Sequence, residues 1–314
     1  MADANHIRKG SLQIYPRVRA KNIIPRANWS NISRAGKGLL GFIGYKVGMV
    51  SAWVKDNTEH SMTKNKRIAI PATIIECPSL RIYSVRFYQN GKVMNEIVVS
   101  NDKSLKKRVK LSKTKKELTK LEGATDLRVI VYSNTKSISV DKKVPDMMEI
   151  ALSGSLDDKF NFVKENLEKD LSVLDVFKEG LVDVRVVSKG YGTQGPVRRF
   201  GIGLKNQKSE KGRRRPGSLG PWHPARVTFR VSQTGQTGYH SRTEYNKMII
   251  MAGKTADKDI NIGGGFEHYG NVKTDYILLK GSIPGPHKRG ILITVSSRPT
   301  KSASKEKYQV LEIR

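Results

Sequence analysis

Acidic residues are scarce in this 314-residue chain: 28 Asp and Glu stand against 58 Lys and Arg, a formal net charge of +30. Such an excess repels itself until a polyanion neutralises it, which argues against a merely soluble basic protein. RNA, DNA or an anionic membrane surface remain as partners. Cysteine is nearly absent. Cys77 stands alone, which excludes an intrachain disulfide and suits a reducing cytosol. No apolar run reaches membrane-spanning length. The opening Met1-Ala2-Asp3-Ala4-Asn5-His6 lacks the apolar core of a signal peptide, so the sequence predicts a soluble, intracellular protein. Hydrophobic residues are also few for this length, at 37%; one part of the chain should fold around a core and another should not.

The signatures of enzyme chemistry are thin as well. The histidines are His6, His60, His223, His240, His268 and His287; none is paired at helical i, i+4 spacing, and no zinc-protease motif is present. Cys77 follows a strand with no histidine near it, which reads as burial. Gly190-Tyr191-Gly192-Thr193-Gln194-Gly195 matches a dinucleotide fingerprint and follows a strand. Pro196, Arg198 and Arg199 come next, where a helix should open, so a cofactor is not expected. Gly253-Lys254-Thr255 resembles the end of a phosphate-binding loop, but Met248 occupies the required upstream glycine position. Gly263-Gly264-Gly265 reads as a tight turn.

What is present is a series of short strands. Ile68, Ile70, Ala72 and Ile74 alternate along 67–76, and 82–88 and 127–132 are further apolar runs. Val182, Val184 and Val186 alternate with Asp183 and Arg185, and Val227, Phe229 and Val231 with Arg226, Thr228 and Arg230. Three more runs cover 276–279, 291–295 and 308–313. Short strands divided by Gly and Pro turns predict a small closed or partly closed β-barrel. One helix is expected from Ser155, with Leu156, Phe160, Val163, Leu167 and Leu171 on a single face and Asp157 and Asp158 at its positive end. The stretch 157–179 is the most acidic, with seven acids against four bases, and should face solvent or protein. Residues 103–120 carry nine Lys and Arg against Glu117 alone; helix is possible there, with a solvated or RNA-facing surface.

The segment 195–247 is the outlier, with twelve Lys and Arg against Glu210 and Glu244. Its first part, 195–226, has six glycines, four prolines and only Val197, Ile202, Leu204 and Leu219 as aliphatics. Ordering backbone costs about 1–2 kcal/mol per residue, and a segment without its own core must be disordered or ordered by a partner. Arginine outnumbers lysine, which favours bidentate phosphate contacts and stacking on bases. Gly220-Pro221-Trp222-His223-Pro224 forms a stiff turn displaying an indole that can stack on an unpaired base. His240, in the polar cluster 239–243, suits an RNA contact better than catalysis. No helix-turn-helix, zinc finger or basic zipper is visible, and an irregular arm suits folded RNA better than a smooth duplex.

Several ordered motifs resemble one family. Gly41-Phe42-Ile43-Gly44-Tyr45-Lys46-Val47-Gly48-Met49, Ala72-Thr73-Ile74-Ile75-Glu76, and Val176-Phe177-Lys178-Glu179-Gly180 followed by Val182-Asp183-Val184 occur in order. Trp222-His223-Pro224-Ala225 with the run 235–243 is the most specific, and 264–270 and Leu279-Lys280-Gly281 complete the set. Together with Gly10-Ser11-Leu12 in a basic tail, they resemble the universal large-subunit ribosomal protein three (L-three) family in its archaeal form. The resemblance implies a mostly β fold, a translation-protein-like barrel with an α/β insertion. It divides the chain into a basic N-terminal extension at 1–38, a barrel core at 39–90 and 181–314, an insertion at 91–180, and an RNA-binding arm at 195–247. It implies a non-enzymatic constituent of the large subunit, cytoplasmic and in the ribosome, that binds large-subunit rRNA and neighbouring large-subunit proteins. The Trp222 turn would lie toward the peptidyl transferase centre; no membrane, cofactor, metal or small-molecule substrate is expected. The RNA-binding candidates are Arg17, Arg19, Lys46, Lys189, Arg198, Arg199, Lys205, Lys208, Lys211, Arg213, Arg214, Arg215, Trp222, His223, Arg226, Arg230, His240 and Arg242. There are two departures: Tyr191 replaces the second lysine of the usual Lys-Gly-Lys-Gly turn, and Glu210 stands where eukaryotic relatives carry a modified histidine, so no such modification is expected. A free-standing RNA-processing or RNA-modifying enzyme is the alternative.

Overall fold

The computed structural model describes residues 10–34, 36–111, 117–208 and 211–314. Glu210 and the centre of the basic stretch 103–120 therefore lie outside the described residues. Within the rest of that stretch, Lys103–Lys107 forms one 3-10 turn rather than an α-helix, with Leu105 buried.

The strands in chain order are β1 (Gly38–Leu39), β2 (Gly41–Asp56), β3 (Arg67–Cys77), β4 (Leu80–Gln89), β5 (Lys92–Val98), β6 (Asp126–Ser133) and β7 (Met147–Ser153). Helix α1 (Leu156–Glu165) follows, then β8 (Gly180–Val187), β9 (Gly190–Gln194), helix α2 (Pro196–Phe200), β10 (Gly235–Gly238), β11 (Ser241–Lys254), β12 (Asp275–Lys280) and β13 (Gly290–Val295). Helix α3 (Lys301–Lys305) and β14 (Tyr308–Ile313) complete the order. The class is mostly β, as expected from the alternating runs.

Seven strands form one sheet in the order β13-β8-β11-β12-β3-β2-β14, and β13 also pairs with β2. The pairing list thus returns on itself through six strands. The ring is irregular rather than a clean barrel. Strand β2 spans 16 residues, and its register with β3 shifts between Lys46 and Gly48. Its first part pairs with β13, Tyr45 to Gly41 opposite Gly290 to Thr294, and its last part with β14. A second sheet runs β1-β7-β6-β4-β5. Strand β4 falls inside the 39–90 span expected as barrel, and it hydrogen-bonds with β5 and β6, which fall in the span 91–180 expected as insertion. Its apolar run marks a strand without saying which sheet receives it.

Besides a small group of Tyr83, Leu105 and Tyr132, two apolar clusters fill this body. One joins Phe42, Ile43, Ile75, Leu80, Phe87, Val129, Ile150 and Ile293; the other joins Tyr45, Val47, Val54, Ala72, Ile74, Tyr276 and Leu278. Each fully buried aliphatic or aromatic side chain contributes roughly 1.5–3 kcal/mol. Ile24, Trp29 and Ile32 belong to the first cluster, so the second half of the 1–38 extension is packed against the core and is not a free tail.

Helix α1 begins as the sequence predicts. Asp158 N donates to Ser155 Oγ (3.3 Å) and Ser155 N to Asp158 Oδ2 (3.3 Å), a reciprocal capping box. It ends at Glu165 rather than near 171. Leu171 instead exchanges backbone bonds with Leu80 at 2.9 and 3.0 Å. The apolar spacing thus runs past the helix into a segment whose backbone is held by a strand. Gly263-Gly264-Gly265 is a turn, closed by Gly265 N donating to Ile262 O at 2.8 Å, and Cys77 is buried. Burial raises the thiol pKa well above its ordinary value.

The chain divides into two compact units. One is the segment up to Asn22 with Val187–Ser241; the other is Ile23–Val186 with Arg242–Arg314.

Candidate nucleic-acid interface

The first unit brings the start of the chain and the arm together. Its frame is the antiparallel hairpin of β9 and β10, Gln194 opposite Gly235 and Thr193 opposite Gln236. Helix α2 opens directly after β9 with Pro196 at its first turn. The expectation that no helix follows the 190–195 glycines is therefore corrected: proline is tolerated at a helix start because its missing N–H has no partner there anyway. The motif is itself strand β9 and pairs antiparallel with β10, which is not the parallel unit of a dinucleotide fold.

The arm is not without internal support. Phe200 is buried, and the Arg17 guanidinium lies 4.5 Å from its ring centre and 5.1 Å from that of Tyr15. Tyr15 meets Phe229 edge-on at 5.0 Å. Ala20 N donates to Tyr239 O at 2.8 Å, and the His240 ring Nδ1 donates to Val18 O at 2.9 Å. The missing core is supplied by a segment at 15–20, far from it in the chain, a pairing that no local pattern reports.

Several of the RNA-binding candidates also make contacts within the protein. Arg199 donates from Nε to Gln236 O (3.1 Å) and from Nη1 to Gln233 O (3.0 Å), tying the return of the arm to its entry. Burial and the nearby Arg17 charge hold its pKa below the usual arginine value. His240 is buried, with its N–H on Ser188 Oγ at 3.1 Å. Arg17 donates to Ser11 O at 3.1 Å, and the Arg198 guanidinium stacks 5.1 Å from the Tyr191 ring centre. In the second unit, the half-buried Lys46 donates to Ile283 O (2.5 Å) and Gly285 O (2.9 Å). Burial lowers its pKa. The Lys46 ammonium is thus held by two carbonyls of a loop of its own unit. Arg242 is half-buried at the start of β11.

The exposed candidates form a second set. Arg19, Lys189, Arg198, Lys208, Lys211, Arg213, Arg214, Arg215, His223, Arg226 and Arg230 are exposed, and Lys205 is half-buried. Arg213 is fixed at its base: Arg213 Nε donates to Lys205 O (3.1 Å), and Lys205 N to Arg213 O (3.0 Å). The Arg230 guanidinium lies 5.9 Å from the Phe229 ring centre. Trp222 is 88% exposed, a very large apolar surface to leave in water. The return strand predicted over 226–231 is not formed. Val227 and Phe229 are 50% and 62% exposed, and alternation alone does not make a strand where no neighbouring strand offers hydrogen bonds. Sequence reasoning missed Tyr15 and Tyr239, whose roles depend on contacts distant in the chain.

Among the described residues, no helix is long and apolar enough to cross a membrane, and no group of three or more His, Cys, Asp and Glu side chains is placed to hold a metal. A family model described as ribosomal protein L3 matches residues 1–121 and 96–312. The large ribosomal subunit protein uL3 of Methanococcoides burtonii is 42% identical over 334 aligned positions, covering 100% of this chain and 98% of that protein. The uL3 of Methanocella arvoryzae is 41% identical, with 95% and 94% covered, and that of Archaeoglobus fulgidus is 40% identical, with 94% and 93% covered. With a family model that matches nearly the whole chain and relatives about 40% identical over more than nine-tenths of it, the chain belongs to the ribosomal protein L3 family.

Proposed function

We propose that this chain is a structural constituent of the large ribosomal subunit, cytoplasmic and in the ribosome, which binds large-subunit rRNA through the unit built from its first residues and its arm. One observation carries the reading. Nearly every residue from 211 to 230 is exposed, and the segment holds Lys211, Arg213, Arg214, Arg215, Arg226 and Arg230 without a single acid. A cationic projection of this kind is stable against phosphates, whose condensed counterions it releases. Arg199, Arg17 and His240 act behind it, fixing the frame from which it extends. Trp222 supplies a stacking surface for an unpaired base, and its turn approaches the peptidyl transferase centre. The role is architectural: the protein supports assembly and holds RNA in place. The acidic stretch 157–179 turns to neighbouring large-subunit proteins.

Sedimentation tests the reading. The tagged full-length protein should travel with large subunits and remain there after a high-salt wash. Release in the wash, together with turnover of rRNA fragments by the free protein, would instead establish an RNA-processing enzyme.

A further inference from the structure

The 190–195 motif, which fails as a cofactor fingerprint, lines an open groove of about 630 Å³ within the first unit, together with Arg19, Lys21, Gln236 and Tyr239. That volume lies in the range of about 300–1,000 Å³ that takes ligands of nucleotide size. Tyr239 lines it, and two features of the backbone set its position. The β9–β10 register shifts between Thr237 and Gly238, and such bulges redirect the side chains that follow them. Tyr239 itself has φ +54, a conformation that a bulky residue adopts only when its surroundings impose it. Here they do: Tyr239 N donates to Lys189 O at 3.1 Å, and Tyr239 O accepts from Ala20 N at 2.8 Å.

The glycine of the motif explains where the aromatic stands. A Cβ on Gly190 would lie 3.3 Å from Tyr239 Cβ and 3.4 Å from its Cδ2, tighter than ordinary contact, so the bare backbone at 190 makes room for the ring. The groove therefore combines a phenol face with two exposed cations, Arg19 and Lys21, and among the described residues neither cation is paired with an acid.

We infer that this groove holds one unstacked nucleotide of the large-subunit rRNA, its base against the Tyr239 ring and its phosphate between Arg19 and Lys21. The inference rests on the RNA-binding reading above. Aromatic rings accept any base by its π face, and paired cations hold the adjoining phosphate.

Ultraviolet crosslinking of the full-length protein to transcribed large-subunit rRNA, with mapping of the crosslinked peptides, tests it. Tyr239 should crosslink to a single nucleotide. Tyr239→Phe should retain that crosslink, whereas Tyr239→Leu should lose it, and Arg19→Ala with Lys21→Ala should weaken it about tenfold. All variants should keep the crosslinks of 211–230. Crosslinks at 211–230 without one at Tyr239 would overturn the nucleotide site while leaving RNA binding intact. No crosslink at either segment would overturn both readings. Saturable binding of AMP alone in the micromolar range, displaced by rRNA only weakly, would also overturn it, because the natural occupant would then be a free nucleotide.

Discussion

Replacing Arg213, Arg214 and Arg215 together by Ala isolates the electrostatic contribution of the projecting arm. All three side chains are exposed. Among the described residues, Arg213 donates by its Nε to Lys205 O, and its terminal nitrogens are the groups expected to meet phosphate. Each phosphate neutralised contributes about 0.7 to 0.9 to the slope of log K against log salt, the lower value for single strands. Three contacts therefore contribute about 2.1 to 2.7 to that slope. Tripling the salt concentration, for example from 0.1 to 0.3 M, should narrow the affinity gap between wild type and variant about 10- to 20-fold. Filter binding or fluorescence titration against one rRNA fragment, repeated at four or five salt concentrations, reads the slope directly. The variant should retain its secondary structure by circular dichroism, since none of the three residues is buried. A variant with reduced affinity but an unchanged slope would refute the reasoning: the arginines would then act by shaping the arm and not as phosphate ligands.

Three further outcomes are expected. Glu76 is fully buried and accepts from Lys273 N (2.7 Å), Thr274 N (3.1 Å) and the Tyr269 hydroxyl. Glu76→Ala orphans these donors at about 1–3 kcal/mol each, so chemical denaturation should show a loss above about 3 kcal/mol; a loss below about 1 kcal/mol would mean that the 266–274 loop is held by other contacts. Gly44→Ala places a Cβ 2.4 Å from Ile75 Cγ2 and 3.1 Å from Cys77 Sγ, and overpacking of this kind should lower stability by about 1–3 kcal/mol, read as a shift in denaturation midpoint. Hydroxyls of Ser61 and Thr63 and the Thr58 N–H hold the Asp56 carboxyl well below its ordinary pKa. A depressed folded-state pKa contributes stability that is complete above the unfolded value of about 3.9 and is lost as pH falls through the folded value. The midpoint difference between wild type and Asp56→Ala should therefore be constant from pH 7 to about 5 and shrink toward pH 2; a difference independent of pH would contradict the linkage.

Legibility in the sequence followed burial on one side. Strands β3, β8, β12, β13 and β14 are legible because their side chains enter a core, either as alternation, as in Ile68, Ile70, Ala72 and Ile74, or as continuous apolar runs where both faces are buried, as in β12 and β13. Strand β10 was invisible: Gly235-Gln236-Thr237-Gly238 offers no apolar signal and pairs by backbone alone. Strand β5 escaped as well, with its first four residues exposed, and β7 was hidden by Met, Glu and Ala. The converse error, the strand read over 226–231, came from alternation without a partner. Charge located the arm, but not the division of labour within it. Arg199 and Arg214 look alike in sequence, and only the carbonyls at 233, 234 and 236 separate an arginine that holds the fold from one left to meet phosphate. The same holds for Lys46, because the carbonyls of 283 and 285 that hold its ammonium lie more than 230 residues away.

The double pairing of β2 also sets an order of events during synthesis. Residues 41–45 find their ring partner only at 290–294, so a chain growing from its amino end cannot close the ring until almost all of it has been made. The cationic segment 211–230 leaves the exit tunnel well before that point, attached to an unfinished body with apolar strands still uncovered. Long-range pairing of this kind is slow and exposed to aggregation. The nascent protein should therefore be most vulnerable to premature RNA capture while its last strands are being translated.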